Sequence, residues 1–257
     1  MIDELVKEWK ASGIVKGDTV LLHSNIKRTL MKYRRKGFRI LPKDILLSFL
    51  DAVGSNGTII LPLFNFDFPK TGFFDIRYTP SQMGSLTEIA RLHKDSIRTG
   101  HPIYSFAIIG KNSHYFINLD NKSGYGLDSP FGVLRELDGK IASLDLPDQN
   151  SMTFYHHVEE MMLVDYRYFK EFTGEYIDFD GNKSTKTYEL FVRNLENNVV
   201  TDVNPAGELM WAADLYKGDK PMVKSGLRTI KANDMFDFVS GIIKANKALG
   251  TLYNFEG

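Results

Sequence analysis

Thr153, His156 and Glu159 recur at intervals of three in the stretch Ser151-Met-Thr-Phe-Tyr-His-His-Val-Glu-Glu160. On a helix, residues three apart share a face, so these side chains would form one polar stripe. A carboxylate beside an imidazole fixes its tautomer, raises its basicity and leaves the second ring nitrogen free to take a proton. That is the minimum apparatus of a general base at neutral pH. His157 and Glu160 repeat the spacing one residue along, and spacing does not choose between the pairs. Either pair can equally be a solvated helix contact. His156 and Glu160, four apart, could also reach one ion, but no third ligand stands nearby and no metal is expected.

The elements that must position this stripe can be read in order. Residues 141–146 form a short apolar run that predicts a strand, and Ser151 suits the N-cap of the helix after it. Upstream, Ile2, Leu5, Val6 and Trp9 sit at helical spacing, with Gly13 closing the helix. Thr-Val-Leu-Leu-His-Ser, residues 19–24, predicts a buried strand with His23 and Ser24 at its C-terminal end, where ligands gather in α/β sheets. Residues 27–39 carry seven cations and no acid. They read either as a solvated basic loop or as an anchor for phosphates.

Pro42 starts a helix to about Val53, and residues 58–64 predict a second strand running into the polar, aromatic loop Asn65-Phe-Asp-Phe-Pro69. Ser85 and Glu88 have capping-box spacing. Residues 98–102 read as a loop and 103–109 as a third strand. Ser129 and Pro130 suit the N-cap and first position of another helix after a glycine-rich loop. Beyond Asp165 the pattern alternates: residues 166–178 and 183–193 flank Asp180-Gly-Asn182 and predict a hairpin. Helices are expected from Asn204 and from an Asn233 cap, with a strand over 223–230 between them. The fold class is therefore α/β, an α/β layer over residues 1–165 followed by a smaller α+β part over 166–257, with no linker separating them.

Composition narrows the function. The 257 residues balance 32 Lys and Arg against 32 Asp and Glu, which leaves no global electrostatic case for nucleic acid or an anionic membrane. The absence of cysteine excludes disulfides, a thiol nucleophile and Cys-bound zinc. The N-terminus lacks signal-peptide character and no apolar run is long enough to span a membrane, so a cytoplasmic protein is expected.

Five motifs in this order resemble the aminoglycoside 3-N-acetyltransferase family: Leu22-His-Ser-Asn-Ile26, Gly57-Thr-Ile-Ile-Leu-Pro-Leu-Phe64, Met83-Gly-Ser-Leu-Thr-Glu-Ile-Ala-Arg91, Arg98-Thr-Gly-His-Pro-Ile-Tyr-Ser-Phe106 and Thr153-Phe-Tyr-His-His-Val-Glu159. The resemblance implies an α/β/α layered fold with a central mixed sheet, and transfer of an acyl group from acetyl-CoA or another acyl-CoA to an amine. Its Thr-x-x-His-x-x-Glu pattern selects His156 and Glu159 over His157, with Thr153 beside them. It further implies that His23, Ser24, Arg98 and Ser105 line the coenzyme cleft; Lys27 is expected beside them from the basic stretch, and Asn65 and Asp67, in the loop after the second strand, are expected to meet the acceptor. Three departures concern the acceptor more than the chemistry. Ala142-Ser-Leu-Asp-Leu-Pro147 replaces the usual Leu-Leu-Gly, Asp128 replaces the glycine of Gly-Ser-Pro, and the match fades after Asp165.

An aminoglycoside is a polycation and needs carboxylates, whereas a nucleotide-linked amino sugar carries a diphosphate and needs Arg or Lys. Tyr166 and Arg167 open an aromatic, partly basic segment that favours the nucleotide (dTDP) sugar, a 3-amino-3,6-dideoxy sugar; an aminoglycoside is the alternative. The partners expected are an amino sugar and an acyl-CoA, with a homodimer open. Two other classes stand beside this reading. One is a non-catalytic coenzyme A or nucleotide-binding module. The other is a hydrolase pairing Ser24 or Ser105 with His156, although neither serine sits in a Gly-x-Ser-x-Gly elbow.

Overall fold

Strand β1 (Thr19–Ser24) pairs in parallel with β2 (Thr58–Pro62) on one side and β6 (Lys140–Leu144) on the other. The computed structural model describes every residue except Met222, Lys224, Ser225 and Gly257. Antiparallel strands extend the sheet both ways: β5 (Phe106–Gly110) and β4 (Ile97–Arg98) beyond β2, and β11 (Leu227–Lys231) and β10 (Lys217–Gly218) beyond β6. The result is a seven-stranded mixed sheet.

Side-chain alternation explains the two layers that cover it. Val20, Leu22, Ile59 and Leu61 point one way and pack on α1 (Ile2–Ala11), α3 (Pro42–Val53) and α5 (Ser85–Arg91) through Leu5, Trp9, Phe49 and Leu86. Leu21, Ile60 and Ile141 point the other way, onto α6 (Pro130–Glu136), α7 (Phe154–Met161) and α9 (Ala232–Lys244) through Phe131, Phe154, Val158, Met235 and Val239. Trp9 stacks on Phe49 at 4.5 Å and donates to Ser48 Oγ at 2.8 Å, fixing α1 on α3. No described helix is long and apolar enough to cross a membrane.

The chain after Asp165 does two jobs. It first leaves the sheet: β7 (Arg167–Ile177) and β8 (Lys183–Arg193) form the expected hairpin, joined by β3 (Phe73–Asp75) next to the short α4 (Phe68–Thr71). Gly181 takes the left-handed conformation, φ 89°, that its turn requires. β9 (Val199–Thr201) pairs with β12 (Tyr253–Phe255), and α8 (Asn204–Ala212) follows β9. The chain then returns to complete the main sheet with β10, β11 and α9.

Several local expectations are corrected. The basic stretch 27–39 is mostly helical: α2 (Lys27–Arg35) buries Thr29 and Tyr33 and turns its cations outward. Helix α5 is capped by Gly84, and Glu88 accepts from Ser81 N and grips Arg91 instead of closing a box with Ser85. Ser151 precedes α7 but does not cap it. The N-cap is Thr153, and Ser151 Oγ is engaged with Ser143 and Pro147. Asn233 lies inside α9, whose N-cap is Lys231, and donates to the Arg135 carbonyl. The strand expected over 223–230 is β11, from Leu227; Lys224 and Ser225 lie outside the described residues. Strand β5 starts at Phe106 rather than 103, and Arg98 belongs to a short strand rather than a loop.

One buried ion pair joins the returning strand to the segment that carries the stripe. Arg228 is fully buried and meets Asp148 at 2.8 Å, and it donates to the Leu146 carbonyl at 2.6 Å. Tyr155 of α7 and Tyr216 both donate to the other oxygen of Asp148. Removing one partner of such a pair strands a charge. Arg228→Met is expected to lower the unfolding free energy by about 3–5 kcal/mol, read from urea denaturation with circular dichroism.

Candidate active site

Helix α7 exists because Phe154, Tyr155 and Val158 bury one face. The stripe is real in part. His156 Nδ1 donates to Glu159 Oε2 at 2.8 Å, while Thr153 sits half-buried at the N-cap with no side-chain cap. With Nδ1 so engaged, Nε2 is left to accept a proton. His157 points elsewhere: fully buried, it holds the Tyr125 carbonyl at 2.7 Å and lies against Phe131. Glu160 accepts from Ser123 Oγ at 2.7 Å, away from His156. Among the described residues, no three His, Cys, Asp or Glu side chains are grouped to hold a metal ion.

Glu159 is wholly buried and has three partners. His156 and Arg167 both meet Oε2, Arg167 through Nε at 2.8 Å, and Tyr166 donates to Oε1 at 3.1 Å. Burial pushes its carboxyl up, but Arg167, His156 and Tyr166 outweigh burial and the net shift is down. His156 is shifted down as well. Burial is the main cause and the Arg167 charge adds to it, against the opposing pull of Glu159. The imidazole is therefore neutral at pH 7 and ready to accept a proton.

A cavity of about 1200 Å³ opens at the C-terminal end of β1. His23, Ser24 and Lys27 line it, together with Arg34 and Arg39 from the basic stretch. Gln82 and the start of α5 form the facing wall, and Leu146 and Asn150, from the segment leading into α7, also line it. His23 is buried and uncharged, its basicity pushed down to about 3 by burial and by Arg228.

Other expected residues are committed elsewhere. Arg98 spends its guanidinium on Ser105 Oγ and on the carbonyls of Ile76 and Thr79, and neither Arg98 nor Ser105 lines the cavity. Asn65 is a loop brace, bonded to Pro80 O and Asp67 N. Asp67 is exposed and held by Gln82 Nε2 at 2.9 Å. Tyr166 and Arg167 face Glu159 rather than solvent; Arg167 is 8% exposed and its other nitrogens bind Phe191 O and Thr201 Oγ1. The sequence missed Tyr125. Its ring packs edge-on to His156 at 5.2 Å and continues through Tyr104 to the exposed Phe66. Its flanking glycines were the available signal.

The family model described as Aminoglycoside 3-N-acetyltransferase matches residues 21–244. This chain belongs to that family. Among curated relatives, the SPbeta prophage-derived aminoglycoside N(3')-acetyltransferase-like protein YokD of Bacillus subtilis (strain 168) is 28% identical over 178 residues, 60% of this chain and 63% of that protein. Aminoglycoside N(3)-acetyltransferase VII of Streptomyces paromomycinus is 27% identical over 61% of this chain and 59% of its own length. The matched region thus spans about three fifths of these relatives. Solved structures share the fold. Aminoglycoside acetyltransferase AAC(3)-Xa superposes with TM-score 0.78 at 21% identity, covering 95% of this chain and 92% of its own. AAC-IIIb, solved as a binary complex with CoASH, gives 0.78 at 19% identity over 96% and 97%. The family's fold accounts for the layered mixed sheet found here.

The buried imidazoles make stability depend on pH. His23, His101 and His157 are pushed down to about 3, 4 and 4, chiefly by burial. Each takes up its proton near 6.5 when unfolded, so the unfolded state binds more protons between about pH 6.5 and pH 4. Glu160, pushed up to about 7 mainly by burial, opposes them with one proton. His156, also shifted down by burial, adds to the three histidines, so stability is expected to fall as pH drops through that window with a net slope of up to about three protons, measured by urea unfolding at stepped pH.

Proposed function

We propose that this protein transfers an acyl group from an acyl-CoA, acetyl-CoA in the simplest case, to an amine of an aminoglycoside-type amino sugar. The observation that carries the reading is the His156–Glu159 pair, aligned at 2.8 Å on the helix whose lead-in segment lines the large cavity. Lys27, Arg34 and Arg39 are suited to the phosphates of coenzyme A, and His23 and Ser24 to the inner end of the donor.

An amine is mostly protonated at pH 7 and cannot attack until it loses a proton. Neutral His156 accepts that proton at Nε2, with Glu159 steadying the imidazolium that forms. The freed nitrogen attacks the thioester carbonyl and a carbon–nitrogen bond forms. The tetrahedral oxyanion takes hydrogen bonds from Thr153, Ser24 or backbone N–H groups. It then collapses with rupture of the carbon–sulfur bond; the departing thiolate takes the second proton, which the new amide nitrogen must lose, and His156 gives up its own to solvent. With no cysteine in the chain, a thiol acyl-enzyme is impossible and transfer is direct within a ternary complex.

The expectation of a nucleotide sugar leaned on Tyr166 and Arg167. Both are turned onto Glu159, so neither can serve a base or a phosphate. Exposed Asp67, braced by Gln82 at the cavity, offers charge of the sign an aminoglycoside needs. Family membership points the same way.

Thiol release from acetyl-CoA tests this directly. Release is expected with aminoglycosides, not with water alone and not with nucleotide amino sugars. Water-driven release would indicate a hydrolase, and none with any amine a binding protein. His156→Ala is expected to lower kcat/KM by about 10²–10⁴-fold; near-normal turnover in that variant would remove the base from the mechanism.

A further inference from the structure

We propose that Arg167 is a positioning residue for the transfer reaction: sharing one oxygen of Glu159 with His156, it holds the carboxylate in the one orientation that aims the imidazole at the acceptor. This rests on the acyl-transfer reading and adds a residue to it.

The geometry is specific. His156 Nδ1 and Arg167 Nε both lie 2.8 Å from Glu159 Oε2. Tyr166 closes the other oxygen. Arg167 is itself fixed from β8 and β9, donating to the Phe191 carbonyl at 3.0 Å and to Thr201 Oγ1 at 3.2 Å. The carboxylate thus cannot rotate without breaking its ion pair to Arg167, a side chain itself anchored on β8 and β9. The imidazole inherits that rigidity through a single bond.

The arrangement also alters the charge balance of the pair. An isolated carboxylate would make its histidine more basic. Here burial pushes the ring down first, the Arg167 guanidinium adds to it against the carboxylate, and the shift on His156 runs downward. The groups facing the ring come from each neighbouring element: Glu159 on its own helix, Tyr125 from the glycine-rich loop, Arg167 on β7, and the charge of Arg193 at the end of β8. Both cations favour the neutral ring. Arg167 is the buried one.

Two variants and two readouts test the assignment. In Arg167→Met, kcat should fall at least about tenfold while KM for acetyl-CoA stays within about twofold. The acid limb of kcat/KM should move to higher pH, because Glu159 then acts on the ring unopposed. In Arg167→Lys the charge survives but the planar fork does not. Its acid limb should stay near that of the native enzyme while kcat still drops. Nitrogen-15 NMR of the His156 ring needs no turnover. It should show a single Nδ1–H tautomer in the native protein and a mixture in both variants. A single tautomer retained in Arg167→Lys would overturn the proposal, as would an unmoved acid limb in folded Arg167→Met. The lysine variant decides the matter should the methionine variant not fold. Absence of thiol release by the native enzyme with any amine would count against the transferase reading, while the tautomer measurement still judges Arg167.

Discussion

A carboxylate with no access to water is the constraint around which this molecule is built. Glu159 is completely buried, and an isolated buried charge costs several kcal/mol. It is kept ionised by a guanidinium, a phenol and an imidazole, drawn from β7, from the residue just before it, and from its own helix. Each partner must arrive within hydrogen-bond reach, so the hairpin after Asp165 and the helix before it cannot be placed independently. The segment of lowest resemblance to the family is thus tied to its most recognisable motif.

The sheet supplies the rest of the frame. His23, Ser143 and Arg228 lie in one row across β1, β6 and β11. The row begins at the cavity and ends at the buried pair with Asp148, from which Tyr155 leads into α7. Cleft and helix are therefore referenced to the same three strands. Such a construction suits a reaction in which two bound molecules must meet within a few tenths of an ångström.

How much of this was legible in the sequence depended on distance along the chain. The strands and the outer helices showed because alternation and helical period are local, and the hairpin because Asp180-Gly-Asn182 interrupts two alternating runs. The His156–Glu159 contact showed because a helix places residues three apart together. Caps were misjudged where a hydroxyl found a tertiary partner, as Ser151 did in Ser143. The basic stretch looked like a loop because its seven cations hid the burial of Thr29 and Tyr33. Arg167 looked like a ligand contact because no local pattern reveals a buried partner on another element. The Arg98–Ser105 bond was hidden for the same reason: it joins β4 to the residue just before β5.

The two adjacent histidines hold one tyrosine between them. His157 grips the Tyr125 carbonyl while the ring of the same tyrosine lies against His156. The glycine-rich loop is thereby clamped to α7 from two sides, and loop and helix travel as one body. Helix α2, on the basic wall of the cavity, is itself tied to α1 by the Lys32–Glu8 and Lys36–Glu4 pairs. A shift of either the glycine-rich loop or α7 therefore displaces the His156 ring as well.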